Sequence, residues 1–331
     1  MRHKKWLLSL TIITGNTVLL LVLLEGATRV LWHHDVEKQH IGIVLNGVNR
    51  EVVHEGVRYN TNSFGLRNRE VEVQKSAGTK RILALGDSFT WGDGLPGDEL
   101  ITVKMETLLK PDFPGVEVIN GALSDSNTSD EFQRLVRLTP IYDPDVVILF
   151  FFTNDVVAGN GSTESWRSKV KEFLRHHSKF VAFVYYQVKT KYAVGVPKSL
   201  LPAEYFNLDD SKPGWVAFKK ALLQIREYCQ SRNIELQFVV IPTLTTLNKN
   251  YPYEELREKV ISFARSSGIH TLDLFDVFAP FDPSDLWVSP ENTHWNSKAT
   301  SIAAGKVVAH LRVLLEPRHE VMLVPALHSV H

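Results

Sequence analysis

A serine stands directly after the first predicted strand, where its hydroxyl could act as a nucleophile. The apolar segment 81–85 runs into Gly86, Asp87 and Ser88. A small residue at this point lets the chain turn sharply and present the serine hydroxyl at a helix entrance. In open α/β sheets ligands bind beyond the carboxyl ends of the strands, which makes Ser88 a candidate nucleophile. The alternative interpretation is a turn in which Ser88 only caps a helix.

A histidine shortly before the last predicted helix is the candidate general base. His294 follows Pro290, which ends any strand, so the histidine lies on a loop with its ring free to reach outward. Glu291 lies three residues upstream, a spacing at which one turn brings a carboxylate to Nδ1, fixes the tautomer and stabilises the imidazolium. Asp285 is an alternative carboxylate, and a backbone carbonyl on Nδ1 is a further alternative. Taken alone, His294 could also be an ordinary exposed loop histidine.

An asparagine after the third predicted strand is the candidate donor to a developing oxyanion. Thr153, Asn154 and Asp155 follow the continuous apolar run from Val146 to Phe152. A side-chain amide at a strand end can donate a hydrogen bond to the negative charge that forms on a reacting carbonyl oxygen. Asn-Asp is also common in turns and helix caps. The functional interpretation therefore depends on the order and position that Asn154 shares with the serine and the histidine.

Strands and helices alternate along the part of the chain that carries these residues. Predicted strands cover 81–85, 116–119, 146–152, 236–241 and 270–274, and predicted helices cover 100–109, 129–138, 215–229, 256–263 and 302–314. Such alternation indicates an α/β fold with a parallel sheet, and all three candidates fall on strand ends or loops of one face. Residues 158–213 interrupt the rhythm and are interpreted as an insertion, which forms either a lid or substrate wall, or a packing or membrane-facing surface.

The first thirty residues predict a membrane anchor. Arg2, Lys4 and Lys5 precede an uncharged run from Trp6 to Leu24. As a helix this run spans about 28 Å at ~1.5 Å per residue, close to the ~30 Å hydrocarbon core of a bilayer. A cleaved signal peptide and a buried soluble helix are the alternatives. The basic flank should stay in the cytoplasm and leave the rest of the chain outside it.

Composition argues against several other classes of protein and site. The 331 residues carry 37 basic and 37 acidic side chains, so no strong field indicates nucleic acid or an acidic partner. The single cysteine, Cys229, excludes an internal disulfide framework and a cysteine-based metal site. His294 has no second histidine at metal-ligand spacing, so the sequence predicts neither a metal nor another cofactor.

Together these residues resemble the SGNH hydrolase family, whose blocks read Gly-Asp-Ser, a glycine after the second strand, Gly-x-Asn-Asp and Asp-x-x-His. The resemblance covers about residues 81–315, and the lead-in from Asn60 to Gly65 with the N-terminal anchor is similar to membrane-anchored bacterial members. It implies a flavodoxin-like three-layer α/β/α sandwich in which the serine attacks an ester carbonyl and the histidine is the base. The implied oxyanion donors are the Ser88 N–H, a backbone N–H of the second block and the Asn154 amide.

Three positions depart from the pattern of the family. An ungapped comparison puts the glycine of the second block on Ala122, with Gly121 one residue earlier, so the backbone N–H of either could serve. Phe152 stands where the third block usually has glycine. Glu291 stands where the last block usually has aspartate, so its carboxylate starts from a different distance to the backbone.

The sequence therefore predicts a serine-dependent carboxylic ester hydrolase that acts outside the cytoplasm through an acyl-enzyme on a small-molecule or carbohydrate ester. The predicted catalytic set is Ser88, His294, Glu291 and Asn154. The predicted organisation is an anchor or signal over 1–30, a lead-in over 31–80, a catalytic domain over 81–317 and a tail over 318–331. Transfer of an acyl group to a surface polysaccharide and non-catalytic binding are the alternative functions.

Overall fold

The computed structural model describes residues 2–31, 47–54, 56–156, 178–181, 183–184, 209–247, 251–290 and 292–315. Most of the predicted insertion, the predicted tail and Glu291 lie outside the described residues. The described strands are β1 (Glu51–His54), β2 (Val57–Asn60), β3 (Lys80–Leu85), β4 (Val116–Asn120), β5 (Val146–Phe151), β6 (Glu235–Val240) and β7 (His270–Asp273). The described helices are α1 (Arg2–Leu31), α2 (Ser88–Trp91), α3 (Ile101–Leu109), α4 (Thr128–Tyr142), α5 (Pro213–Gln230), α6 (Glu254–Ser266), α7 (Phe275–Phe278) and α8 (Ser297–Leu315).

A five-stranded parallel sheet lies at the centre of the domain, in the order β4-β3-β5-β6-β7. Leu83 of β3 pairs with Ile119 of β4 on one side and with Val147 of β5 on the other. All six residues of β5 are buried, as expected for a parallel strand that is covered on both faces. The five predicted strands and the predicted α/β fold are confirmed.

Helices cover both faces of this sheet and complete three layers. Neighbouring residues of a strand point to opposite faces, so Ile82 and Leu83 enter different cores. On one face α4, α5 and α6 pack against Leu83, Leu149 and Phe238. On the other face α3 and α8 pack against Ile82 and Ile148. Burial of each such side chain contributes about 1.5–3 kcal/mol, which holds the strand ends in a fixed frame.

The lead-in segment is fastened to the loop that follows α2. Tyr59 stacks on Trp91 with ring centroids 5.5 Å apart, and the Arg67 guanidinium lies over both rings. Arg67 also donates to three backbone carbonyls of the segment 91–95, and the Tyr59 hydroxyl accepts the Gly94 N–H at 3.0 Å. Arg67 is only 2% exposed, so ring faces and carbonyls replace water around its charge. We call this arrangement the Arg67 clamp.

The helix α1 is long and apolar enough to cross a membrane by its length and composition. Its side chains from Leu19 to Leu23 are each at least half exposed. At the end of the apolar run, the Glu25 carboxylate accepts hydrogen bonds from the Ser178 hydroxyl at 2.7 Å and from the Phe180 N–H at 3.0 Å. These bonds join α1 to the first turn of the helical residues that follow Ser178. A helix of this kind occurs both in membrane anchors and in signal sequences.

Candidate active site

The candidate residues meet where the order of the strands reverses. β3 and β5 are neighbours, but between them the chain visits β4, on the far side of β3. The connections that leave β3 and β5 therefore diverge and open a crevice at their carboxyl ends. Ser88 begins α2 directly after β3, and Asn154 lies in the 3₁₀ turn Thr153–Val156 after β5. The topology alone brings these two residues to one edge of the sheet.

Ser88 is presented by a turn that its neighbours fix. Gly86 has a φ of 155°, and a Cβ there would lie 2.4 Å from the Thr90 Oγ1, so only glycine fits this turn. The Asp87 carboxylate, and not the serine, caps α2 by accepting the Phe89 N–H at 3.0 Å. The Ser88 hydroxyl is therefore left for the crevice. There its Oγ lies 2.7 Å from the Nε2 of His294, a hydrogen-bond distance for a nucleophile and its base.

The His294 ring is oriented by Asn292. The Asn292 Oδ1 lies 2.7 Å from the Nδ1 of His294 and also accepts the backbone N–H of His294 at 3.2 Å. An amide oxygen can only accept, so Nδ1 carries the proton and Nε2 is left to accept from Ser88. The next residue, Trp295, donates its Nε1–H to the carbonyl of Phe89 at 2.7 Å and ties the histidine loop to α2.

The two carboxylates that the sequence suggested for this role have different outcomes. Asp285 pairs with Lys298 of α8 at 2.9 Å, and its side chain is 56% exposed. Its carbonyl accepts from the Asn296 Nδ2, so Asp285 is engaged at the start of α8 and not at the imidazole. Glu291 lies outside the described residues, so its contact with His294 stays a prediction.

Burial of the His294 imidazole and the charges of nearby carboxylates shift its pKa in opposite directions. Desolvation lowers the pKa of His294 below its usual value, while the charges of Asp93 and Asp125 act to raise it. Desolvation is the larger effect, so the ring is neutral at pH 7 and able to accept a proton. Asp93 comes close to the reacting nitrogen, with Oδ2 4.0 Å from Nε2. The His294 side chain keeps 27% of its surface exposed, which leaves the ring open to a substrate.

The candidate oxyanion donor Asn154 is bonded to the residue before the serine. Its Nδ2 donates to the Asp87 Oδ2 at 2.9 Å, which leaves the second N–H of the amide for a substrate oxygen. The Ser88 N–H belongs to the first turn of α2, where N–H groups have no intrahelical acceptor. Asp87 thus caps the helix that begins at Ser88 and also holds the Asn154 amide.

The two backbone donors predicted in the second block are bonded elsewhere. The Gly121 N–H donates to the Ala84 carbonyl at 2.8 Å and extends the ladder between β3 and β4. A Cβ on Gly121 would lie 2.7 Å from the Leu83 Cδ1, so this residue faces the core. The Ala122 N–H donates to the Asn120 Oδ1 at 3.1 Å. Both N–H groups are used to end β4, so the structure does not offer them to an oxyanion.

Residues 84–300 match the model of the GDSL-like lipase/acylhydrolase family. The chain belongs to this family. As a GDSL-type hydrolase it acts on ester bonds, and its parallel sheet with flanking helices is the SGNH α/β fold. No curated protein has a significant sequence match to the chain.

Solved structures with similarity to this GDSL-type hydrolase include TesA, with 14% identity over 71% of this chain and 100% of that chain and a TM-score of 0.47. The esterase EstA from Pseudoalteromonas sp. has 15% identity over 72% of this chain and 100% of its own, with a TM-score of 0.45. The acetyl xylan esterase AlAXEase has 18% identity over 70% of this chain and 99% of its own, with a TM-score of 0.43.

Beneath its site the GDSL-type hydrolase buries three carboxyl groups. Asp87, Glu131 and Asp155 are 1%, 0% and 4% exposed. Burial raises the pKa of Asp87 to about 7, although hydrogen bonds from Phe89 and Asn154 act to lower it. Burial and then the charge of Asp87 raise the pKa of Asp155, and burial followed by the charges of Asp155 and Asp87 raises that of Glu131. This buried acid group therefore retains protons that isolated carboxyls lose.

Three features of the site escaped the sequence interpretation. The first is Asn292, whose signal was local, because asparagine often accepts the N–H of the residue two positions on. The second is Asp93, which lies between Gly92 and Gly94 in a turn directly after the short helix of the nucleophile. The third is the Arg67 clamp, whose carbonyl partners lie 24 to 28 residues further along the chain, so no local pattern predicted it.

Proposed function

We propose that this GDSL-type hydrolase is a serine esterase that works through an acyl-enzyme on Ser88, with His294 as the base. The observation that carries the proposal is the 2.7 Å contact between the Ser88 Oγ and the His294 Nε2. A serine that only capped a helix would not need a histidine from 206 residues further along the chain. The hydrogen bond from Nδ1 to Asn292 adds support, because it leaves Nε2 in the basic form that deprotonates a hydroxyl.

The proposed reaction follows from which atoms hold protons. The Ser88 Oγ attacks the ester carbonyl carbon while the His294 Nε2 takes the hydroxyl proton. The Asn154 amide and the Ser88 N–H stabilise the oxyanion that forms. When the tetrahedral intermediate collapses, the bond to the alcohol oxygen breaks, this oxygen takes the proton from His294, and Ser88 is left acylated. Water then attacks the acyl carbon with His294 again as base, which releases the carboxylic acid and restores the serine.

A serine-directed label tests this proposal without any assumption about the substrate. The full-length chain in detergent is treated with a fluorophosphonate, and the modified peptide is identified by mass spectrometry. We expect an adduct on Ser88 that is lost in His294→Ala, because an unactivated serine does not react. Ser129→Ala, an exposed serine of α4, is the matched control and should keep the label. Hydrolysis of p-nitrophenyl acetate that survives Ser88→Ala would contradict the proposal.

We propose further that α1 anchors the chain in a membrane and that the catalytic domain lies outside the cytoplasm. The apolar length of α1 and the basic residues at its start support this orientation. The hydrogen bonds that Glu25 accepts from Ser178 and Phe180 are also consistent with an anchor, because they hold part of the domain close to the end of the apolar run.

The single cysteine makes the orientation accessible to chemical labelling. Cys229 is buried, so the native chain should react little with a membrane-impermeant maleimide. Asp98→Cys, at an exposed position of the domain, should be labelled in intact spheroplasts. Lys4→Cys is the matched control and should be labelled only after lysis. The reverse pattern would overturn the orientation, and a mature N-terminus near residue 28 would replace the anchor with a cleaved signal.

A further inference from the structure

The geometry points to Asp93 as the carboxylate that balances the positive charge of His294 during catalysis. In this arrangement the two roles of a triad acid are divided between two residues. Asn292 orients the ring from Nδ1, and Asp93 supplies the negative charge from the side of Nε2. This inference rests on the proposed acyl-enzyme mechanism.

Among the described residues, the group at Nδ1 is a neutral amide, which carries no full negative charge. When Nε2 takes the proton of Ser88, the imidazole becomes a cation, and Asn292 opposes that charge only with a dipole. In the described part of the chain, the Asp93 carboxylate is the acid that comes within 4.0 Å of the His294 Nε2. Its side chain is 22% exposed, so water screens it less than a surface charge. The attraction grows as the ring gains charge, and it therefore favours the transition state over the ground state.

Asp93 is held where it attracts the ring without removing its proton. The Ser124 hydroxyl donates to the Asp93 Oδ2 at 3.1 Å, and the Asp93 N–H donates to the Ser88 carbonyl at 3.1 Å. The Arg67 clamp fixes the backbone on both sides of Asp93. At 4.0 Å the Oδ2 is beyond hydrogen-bond distance from Nε2. The proton therefore stays on the imidazole, from which it can pass to the leaving alcohol.

Other titratable groups lie near the ring, near Asp93 or close in sequence. Asp125, on the loop after β4, acts on His294 in the same direction as Asp93. Asp87 lies at the start of α2, where the buried acid group begins. Arg67 approaches Asp93 from the lead-in segment, with its guanidinium bonded to backbone carbonyls. Glu291 is close in sequence but lies outside the described residues. A test must therefore separate Asp93 from Asp125 and Glu291.

The pH dependence of p-nitrophenyl acetate hydrolysis by the full-length chain provides this test. An opposite charge at this distance raises a pKa by about 1–3, and partial exposure puts Asp93 at the low end of that range. Asp93→Asn should therefore move the acid limb of kcat/KM about one pH unit lower. It should also lower kcat on the plateau about tenfold, because the same attraction acts on the protonated ring in both measurements. Asp98→Asn, an exposed neighbour, should change neither.

A second variant returns the charge to the ring from its other side. Asn292→Asp keeps the shape of the side chain and puts a carboxylate on Nδ1. Added to Asp93→Asn, it should move the acid limb back toward that of the wild type and recover most of the lost kcat. A merely structural role for Asp93 would lower kcat without moving the limb, and that result would overturn the inference.

Two further outcomes would also overturn it. If the limb moves only in Asp125→Asn or in Glu291→Gln, the balancing charge lies on that residue. If the double variant has the same kcat as Asp93→Asn, the fall in kcat was not caused by the loss of a charge. Failure of the proposed function is recognised separately, because Ser88→Ala would then keep its hydrolysis. If only the inference about Asp93 is wrong, Ser88→Ala is inactive, and the acid limb of Asp93→Asn lies at the same pH as that of the wild type.

Discussion

The two loops that meet at the active site differ in how closely their own sequence fixes them. The loop after β3 presents Ser88 directly after a glycine with positive φ and an aspartate that caps the next helix. The loop before α8 presents His294 through contacts with other segments, since Trp295 is bonded to the carbonyl of Phe89. In the first loop three consecutive residues dictate the geometry. In the second the geometry depends on which of several side chains reaches the ring.

This difference teaches where a short motif is a sufficient guide to chemistry. A nucleophile needs one backbone turn to present its side chain, and the conformation of a turn is determined by adjacent residues. A base needs an acceptor at Nδ1, and that acceptor can come from any residue that the surrounding loop allows. Asn292 holds that position in the structure, one residue after the glutamate that the sequence favoured. The comparison therefore predicts that substitutions beside Ser88 lower kcat more than substitutions beside His294.

The largest of these effects is expected at the amide beside the serine. Asn154→Ala removes the N–H that we propose meets the oxyanion, and we expect kcat for p-nitrophenyl acetate to fall about 10²–10³-fold. KM should change little, because the contact strengthens mainly as charge develops on the substrate oxygen. Circular dichroism of the same preparation checks that the variant is folded. A folded variant with near-normal kcat would make Asn154 an ordinary turn residue.

An intermediate effect is expected at Nδ1 of His294. Asn292→Ala removes a neutral hydrogen bond of about 0.5–1.5 kcal/mol, so kcat should fall up to roughly tenfold. Glu291→Gln should then keep more than about a third of the wild-type kcat, a loss of under ~1 kcal/mol of barrier. Asp285→Asn is the matched control and should resemble the wild type, because Asp285 pairs with Lys298.

The same three variants can reverse the interpretation of the histidine loop. If Glu291→Gln is the severe variant and Asn292→Ala is mild, the predicted glutamate is the orienting acid of the working enzyme. The two loops would then be equally well described by their motifs. If Asp285→Asn is the severe variant, the carboxylate of the last block was assigned to the wrong residue.

The fold and part of the site could be predicted because they are encoded in short segments. The strands β3 and β5 are largely apolar runs, and Ser88 and Asn154 each follow one of them within three residues. The positions of the Gly121 and Ala122 N–H groups could not be predicted in this way. They depend on the register of β4 against β3 and on the side chain of Asn120, which accepts from Ala122. Arg67 escaped for the same reason, because its partners come together only in the folded chain.

The last expected effect is on the stability of the fold, and it comes from Asp87, the buried residue before Ser88. The pKa of Asp87 is raised to about 7 by burial, so the folded protein keeps a proton that the unfolded chain loses near pH 4. Between these two values the folded state binds more protons than the unfolded state. The free energy of unfolding therefore falls as the pH rises toward 7. The stabilising contribution is complete below about pH 4 and is lost once the pH passes about 7.

Asp87→Asn removes this titration and should flatten the dependence. Between pH 5 and pH 8 the Tm of the wild type should fall further than that of the variant by about 2–10 °C, for roughly 1–3 kcal/mol in a domain of this size. Thermal unfolding of the full-length chain, followed by tryptophan fluorescence, measures the difference, with exposed Asp276→Asn as the matched control. Equal pH dependence in wild type and Asp87→Asn would mean that Asp87 is already ionised in the folded protein at pH 5. The kcat of Asp87→Asn should also fall, because asparagine has one acceptor oxygen, whereas Oδ1 and Oδ2 of Asp87 accept separately from the Phe89 N–H and the Asn154 amide. A variant that is less active and yet less sensitive to rising pH would show that the serine loop is kept in position by a carboxyl whose ionisation destabilises the fold.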